Sequence, residues 1–276
     1  MNIKIKPGNT DDLYGIYLPV VNARACIILI HGLGEHINRY KSLAEYFNDN
    51  YYSFIGVDLP GHGRSPGKRG HIKNFGQYNK IISAMAEFAR RREGGIPLVL
   101  YGHSLGGSIA LKYLLDNNNI ERGIITSPWL KLNFEPPRFK VILASLVSRI
   151  LPSLLQPSGL DPENICTDKN VVNEYRSDPH VHFKISVSLF ASAADNGARL
   201  LKCKNELKTP VLLMHSEKDR ITSAEGSVIF AGNNSMADLK IWKEGYHELH
   251  NEIFRDEVLS YIIKWLEKQH GIHNKD

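Results

Sequence analysis

What this chain has little of narrows its class. It holds three cysteines, Cys26, Cys166 and Cys203, with no metal-ligand spacing and no even-numbered framework, so neither a disulfide scaffold nor a zinc module is expected. No apolar run is long enough to span a bilayer, and the opening MNIKIKPGNT lacks the apolar centre of a signal peptide. The expectation is a reducing, cytoplasmic location. Charge of one sign is sparse as well: the net charge of +5 is spread without a sustained Lys/Arg run, which argues against nucleic acid as a partner. There is no internal repeat and no low-complexity segment. One stretch is nearly free of charge: from Pro136 to Leu160 only Arg138, Lys140 and Arg149 are ionised, and no acid is present.

What the chain does have is alternation. The runs CIILI (26–30), SFIGVDL (53–59), PLVLY (97–101), GIIT (123–126), PVLLMH (210–215) and LKIW (239–242) have the composition of strands buried on both faces. Helical spacing lies between them. Leu43, Ala44 and Phe47 share a face within 40–49, and Tyr78, Ile81, Ile82, Met85 and Phe88 recur at steps of three and four. SIALKYLLDNN and the final IFRDEVLSYIIKWLEKQ read the same way. NIKIK and DLYGIYLP, joined through PGNTD, form an opening antiparallel pair. Strand–helix alternation at this length predicts an α/β fold: a mostly parallel sheet with helices on both faces. The interval 128–207 breaks the rhythm. Phe139, Ile142, Leu143, Leu146, Ile150 and Leu154 recur there at helical spacing, so the expected organisation is a core of 1–127 and 208–276 with a helical insertion over 128–207. That basic amphipathic helix either packs on the core or acts as a lid, lining a lipid-sized pocket or resting on an anionic membrane surface.

The chemistry concentrates in LVLYGHSLGGSIALKYLL, residues 98–115. Gly102-His103-Ser104-Leu105-Gly106 fits the G-x-S-x-G nucleophile elbow, and it joins a strand to a helix as that motif demands. Glycines let the backbones come close in the sharp turn, and the helix N-terminus favours a developing negative charge. A serine nucleophile needs a base, and the base needs an orienting acid, in the chain order Ser, acid, His. SEKDR follows PVLLMH and supplies Asp219, with Glu217 as the rival acid. KEGYHELH follows LKIW and supplies His247; His250 competes from the edge of the last helix, and His215 lies within a strand. The oxyanion donors are expected from the N–H groups of Leu105 and of Leu33 in HGLGEH. GHGRSPGKR lacks the spacing of a phosphate loop, and HELH sets its histidines too close for a zinc protease. No metal or cofactor is expected.

HGLGEHINRY, GVDLPGHGRSPGKRG, GHSLGG, PVLLMHSEKDRIT and GYHELHNE together resemble the monoacylglycerol lipase/lysophospholipase group of α/β-hydrolases. The resemblance runs from about Ile27 to the last helix and is weakest in the insertion. It implies an eight-stranded sheet, a helical cap over the site, and cofactor-free hydrolysis of monoacylglycerols or similar single-chain lipid esters. It maps the triad onto Ser104, Asp219 and His247, and the oxyanion donors onto Leu33 and Leu105. It further implies a polar cluster of Glu35, Arg39 and His250 at the glycerol end. Thr222 stands where mammalian members carry a cysteine near the acid, so thiol sensitivity is not carried over. The alternatives are another esterase, thioesterase or peptidase of the same fold, or a non-catalytic protein that kept it.

Overall fold

The computed structural model describes residues 1–134 and 150–269. Among the described residues there are ten strands: β1 Asn2–Ile5, β2 Leu13–Leu18, β3 Ala25–Ile30, β4 Tyr52–Val57, β5 Leu98–His103, β6 Arg122–Thr126, β7 Leu155–Pro157, β8 Lys184–Ser186, β9 Val211–Ser216 and β10 Ala237–Trp242. The helices are α1 Lys41–Asp49, α2 Gln77–Glu93, α3 Leu105–Asp116, α4 Lys169–Ser177, α5 Val187–Leu200, α6 Ala224–Asn233 and α7 Arg255–Gln269. Eight strands form one sheet in the order β1-β2-β4-β3-β5-β6-β9-β10. β2 pairs antiparallel with both β1 and β4, and every later pairing is parallel.

Strand composition explains the layering. Every residue of β3, β4, β5 and β9 is buried, as parallel strands covered on both faces require. Alternate residues then sort to opposite faces. Cys26, Ile28, Ile30, Leu98 and Leu100 pack under α2 and α3 with Ile81, Met85, Ile109 and Tyr113. Ala25, Ile27, Leu29, Val99 and Tyr101 pack on the other face with Leu43 and Phe47 of α1 and Val258, Ile262 and Leu266 of α7. A period of two in the strands and of 3.6 in the helices thus builds two apolar layers around one sheet.

The stretch read as a helical insertion also contains sheet. β7 and β8 pair antiparallel over three residues each, and Ile185 and Ser186 are buried. Three-residue strands are too short to show alternation, which is why apolar periodicity did not reveal them. The amphipathic pattern beginning at Arg138, Phe139 and Lys140 and running through Leu146 and Arg149 lies outside the described residues. No described helix is long and apolar enough to cross a membrane.

Candidate active site

β5 ends at His103 and α3 begins at Leu105, so Ser104 makes the turn alone. Its φ of 54° and ψ of −118° are strained for a residue with a side chain, at about 1–3 kcal/mol. The strain is held from both sides. Ser104 N donates to Thr126 O at 3.0 Å, and its carbonyl accepts from Trp129 N at 2.9 Å and Ser108 N at 3.2 Å. The flanking glycines are there because of packing. A Cβ on Gly102 would lie 2.6 Å from Gly106 O, and one on Gly106 would lie 2.1 Å from Ile30 O. The first amides of α3, Leu105 included, have no partner within the helix and form a positive end beside the serine.

β9 and β10 are parallel neighbours on the same sheet as β5. The loops that follow them therefore reach the edge where Ser104 sits. Asp219 leaves the first loop and His247 the second. His247 Nδ1 lies 2.7 Å from Asp219 Oδ2, and a carboxylate can only accept, so the proton is on Nδ1 and Nε2 is left as the acceptor. Asp219 is itself tightly held. Oδ1 accepts from Ile221 N at 2.7 Å and Thr222 N at 3.0 Å. Oδ2 also meets the Thr222 hydroxyl at 2.9 Å and His215 Nε2 at 3.1 Å. Burial by itself would raise the Asp219 pKa, but His247 and the surrounding donors hold it far below the usual carboxylate range. For His247, burial disfavours the charge, yet the Asp219 carboxylate outweighs it and the pKa is raised above 6.5. Glu217 is exposed and takes no part.

The loop after β3 approaches from the other side. Gly32 is pinned at both of its polar groups: His31 Nδ1 donates to its carbonyl at 2.8 Å, and its N–H donates to Glu35 Oε1 at 2.6 Å. A Cβ on Gly32 would lie 3.2 Å from that of Ser104, so glycine sets the close approach. Leu33 follows, beside the serine in the cavity wall. His31 Nε2 accepts from Leu59 N at 2.9 Å, so this histidine is neutral and structural, and burial depresses its pKa to about 3.

Glu35 and Arg39 do meet, at 2.7 Å, one helical turn apart. The dominant partner of Arg39 is a residue with no sequence signal, Glu248, gripped in a two-point pair at 2.7 Å for each bond. Tyr175 lies against the guanidinium, 4.5 Å from ring centroid to Arg39, and the Tyr40 hydroxyl donates to Glu35 at 2.8 Å. Burial opposes charge on Arg39, but Glu248 and Glu35 more than offset it and its pKa is raised further. Glu248 faces the same burial and is held down by Arg39; Glu35, the weaker partner, is pushed up by desolvation. His250 does not bond to this group. It is buried against Tyr40, centroids 4.8 Å apart and nearly parallel, with no hydrogen-bond partner for either nitrogen among the described residues. Burial lowers its pKa to about 4.

Ser104, His247, Leu33, Glu35 and Glu248 all line one cavity of about 570 Å³, part of it open to solvent. The rest of its wall is largely apolar, with Trp129, Phe134, Leu160, Ile165 and Phe190 prominent. Asp219 stands behind His247, out of contact with the space. Among the described residues no three His, Cys, Asp or Glu side chains converge to hold a metal ion.

A family model described as serine aminopeptidase S33 (Hydrolase_4) matches residues 21–253. The chain belongs to this family. An uncharacterized abhydrolase domain-containing protein of Dictyostelium discoideum is 34% identical over 92% of this chain, which spans 27% of that longer protein. The monoacylglycerol lipase of Mycolicibacterium smegmatis is 26% identical, with 94% of each chain covered. In three dimensions the crystal structure of Paleococcus ferrophilus monoacylglycerol lipase superposes with a TM-score of 0.86 at 34% identity, covering 93% of this chain and 99% of that one. Within Hydrolase_4 the chain is thus a monoglyceride-lipase-like α/β-hydrolase and a carboxylic ester hydrolase.

Proposed function

We propose that this Hydrolase_4 member cleaves monoacylglycerols to glycerol and fatty acid through Ser104, His247 and Asp219. The observation that carries the reading is His247, 2.7 Å from Asp219, sharing a mostly apolar cavity with a serine on a strained elbow. His247 Nε2 takes the proton as Ser104 Oγ attacks the ester carbonyl, and Asp219 keeps the imidazole in the right tautomer and stabilises its charged form. The N–H groups of Leu33 and Leu105 receive the oxyanion, each contributing on the order of a hundredfold or more in rate. The alcohol leaves with the proton from His247, and water activated by the same nitrogen then frees the acid.

The apolar wall suits an acyl chain. The carboxylates of Glu35 and Glu248 suit hydroxyl donors at the glycerol end, with Arg39 as their support and His250 stacked on Tyr40 behind them. Of residues 128–207, the described parts 128–134 and 150–207 act as the cap over this space, and much of the apolar lining belongs to them. Exposed Ile150, Leu151 and Leu154 favour transient contact of the cap with a lipid surface. Two carboxylates share one guanidinium at the polar end, which also suits the α-ammonium of a peptide and favours an aminopeptidase as the second reading.

The deciding experiment is fatty-acid release from monooleoylglycerol by wild type and Ser104→Ala, with lysophosphatidylcholine and an aminoacyl p-nitroanilide run beside it. The proposal expects rapid release from the glycerol ester that the variant loses by a factor on the order of 10⁶. Preference for the anilide would replace it with the peptidase reading.

A further inference from the structure

Between β6 and the cap, the four residues 126–129 touch both halves of the site. Thr126 O accepts from Ser104 N at 3.0 Å, and Trp129 N donates to Ser104 O at 2.9 Å. Ser127, between them, faces the other way. Its hydroxyl donates to the main-chain carbonyl of His247 at 2.7 Å, its N–H donates to Met214 O of β9 at 2.8 Å, and its carbonyl lies 3.1 Å from the Thr222 hydroxyl that faces Asp219. Ser127 is fully buried, and its φ of 45° is left-handed, a conformation that disfavours any residue but glycine. Glycine would fit that backbone without strain, so a serine there needs another physical reason, and its hydroxyl supplies one.

We infer that Ser127 is a positioning residue which fixes the catalytic base relative to the nucleophile. The loop carrying His247 follows an edge strand; Tyr246 N on Glu252 and Glu248 N on Ile165 O hold its neighbours, and the Ser127 hydroxyl holds the carbonyl of His247 itself. The Ser127 hydroxyl ties that backbone to the same short segment that holds Ser104 N and O. The Ser104–His247 approach is then set by contacts made within one four-residue segment, and it does not drift as the proton moves. Serine at 127 trades backbone strain for this tie, as strained residues at active sites do. The inference rests on the triad proposed above.

The test uses Ser127→Gly and Ser127→Ala, read by the rate of Ser104 labelling with a fluorophosphonate, by kcat and KM on a short p-nitrophenyl ester, and by thermal melting. Glycine relieves the strain while removing the hydroxyl, so it separates catalysis from folding. The expected result is a labelling rate and kcat ten- to a hundredfold lower per folded molecule, the loss that a misplacement of about 1 Å brings, with KM within twofold of wild type. Equal losses in both variants, despite their different melting temperatures, would be the signature of positioning. Wild-type labelling in Ser127→Gly overturns the inference, as does failure of both variants to fold, which would make the hydroxyl purely structural. Absence of labelling in the wild type would instead bring down the triad itself.

Discussion

Two buried charged groups stand beside the cavity, and they are built on opposite plans. Around Asp219 a single carboxylate is surrounded by hydrogen-bonding groups: His247, His215, the Thr222 hydroxyl and two backbone amides. Around Arg39 two carboxylates share one permanent cation, with an aromatic ring on its face. Under the proposed mechanism, the first arrangement stabilises a charge that appears and vanishes on His247 during turnover. The second holds a charge that never changes, because a guanidinium does not deprotonate in proteins. An acid–base centre and an ionic frame can thus sit in one low-dielectric space, and what separates them is whether the cation can titrate.

The largest effect should come from breaking the first group. Asp219→Asn keeps the shape but presents an amide N–H to His247 Nδ1, which moves the proton to Nε2 and leaves no acceptor for the serine. Turnover on a p-nitrophenyl ester is expected to fall about 10⁴-fold, with the melting temperature little changed. Arg39→Met breaks the second group and should do the reverse. Two buried carboxylates lose their counter-charge, a loss of about 3–5 kcal/mol, seen as a fall in melting temperature on the order of 10 °C. Lysine at 39 should recover only part of it, since an ammonium cannot make the two-point pair.

The contrast is sharpened by pH. His247 must be neutral to act, and its pKa is raised, so the acid limb of kcat/KM is expected with its midpoint above 6.5. The stabilisation from its pairing runs the other way: complete below the unfolded value near 6.5, it is lost as pH rises through the folded value. Five other buried histidines, His31, His62, His103, His182 and His250, have their pKa values depressed mainly by burial. Each contributes stability above about 6.5 that disappears on acidification, by up to about 1.4 kcal/mol per pH unit. Thermal melts between pH 4 and 8 should therefore steepen downward on the acid side while activity is still falling. The smallest effect belongs to Glu217→Ala: the exposed neighbour of Asp219 should leave kcat/KM within twofold, and a larger loss would reopen the assignment of the acid.

Much of this was legible before any coordinates. The sheet follows from apolar runs such as ACIILI and LVLYGH, whose residues are all buried. The opening pair, in which Ile3 faces Gly15, follows from alternation and a turn. Ser104 was marked by glycines that sterics requires, and Asp219 and His247 by their places just after strands. Glu248 was not legible: it lies 209 positions from Arg39, and nothing in HELH distinguishes it from a solvent-facing acid. His215 reads as an ordinary strand residue, and only folding brings its ring to Asp219, four positions on, and to the Ser227 hydroxyl, twelve positions on. β7 and β8 are too short for periodicity to register.

The sequence by itself determined the fold class, the strand–turn–helix that presents Ser104 and the loops that carry the acid and base, because these depend on local periodicity and on where glycine is sterically required. Only the tertiary structure decided which buried charges neutralise one another, which histidines stay neutral, and that the Ser127 hydroxyl meets the His247 carbonyl. Those outcomes depend on distances and desolvation between residues far apart in the chain, and local pattern carries no record of either.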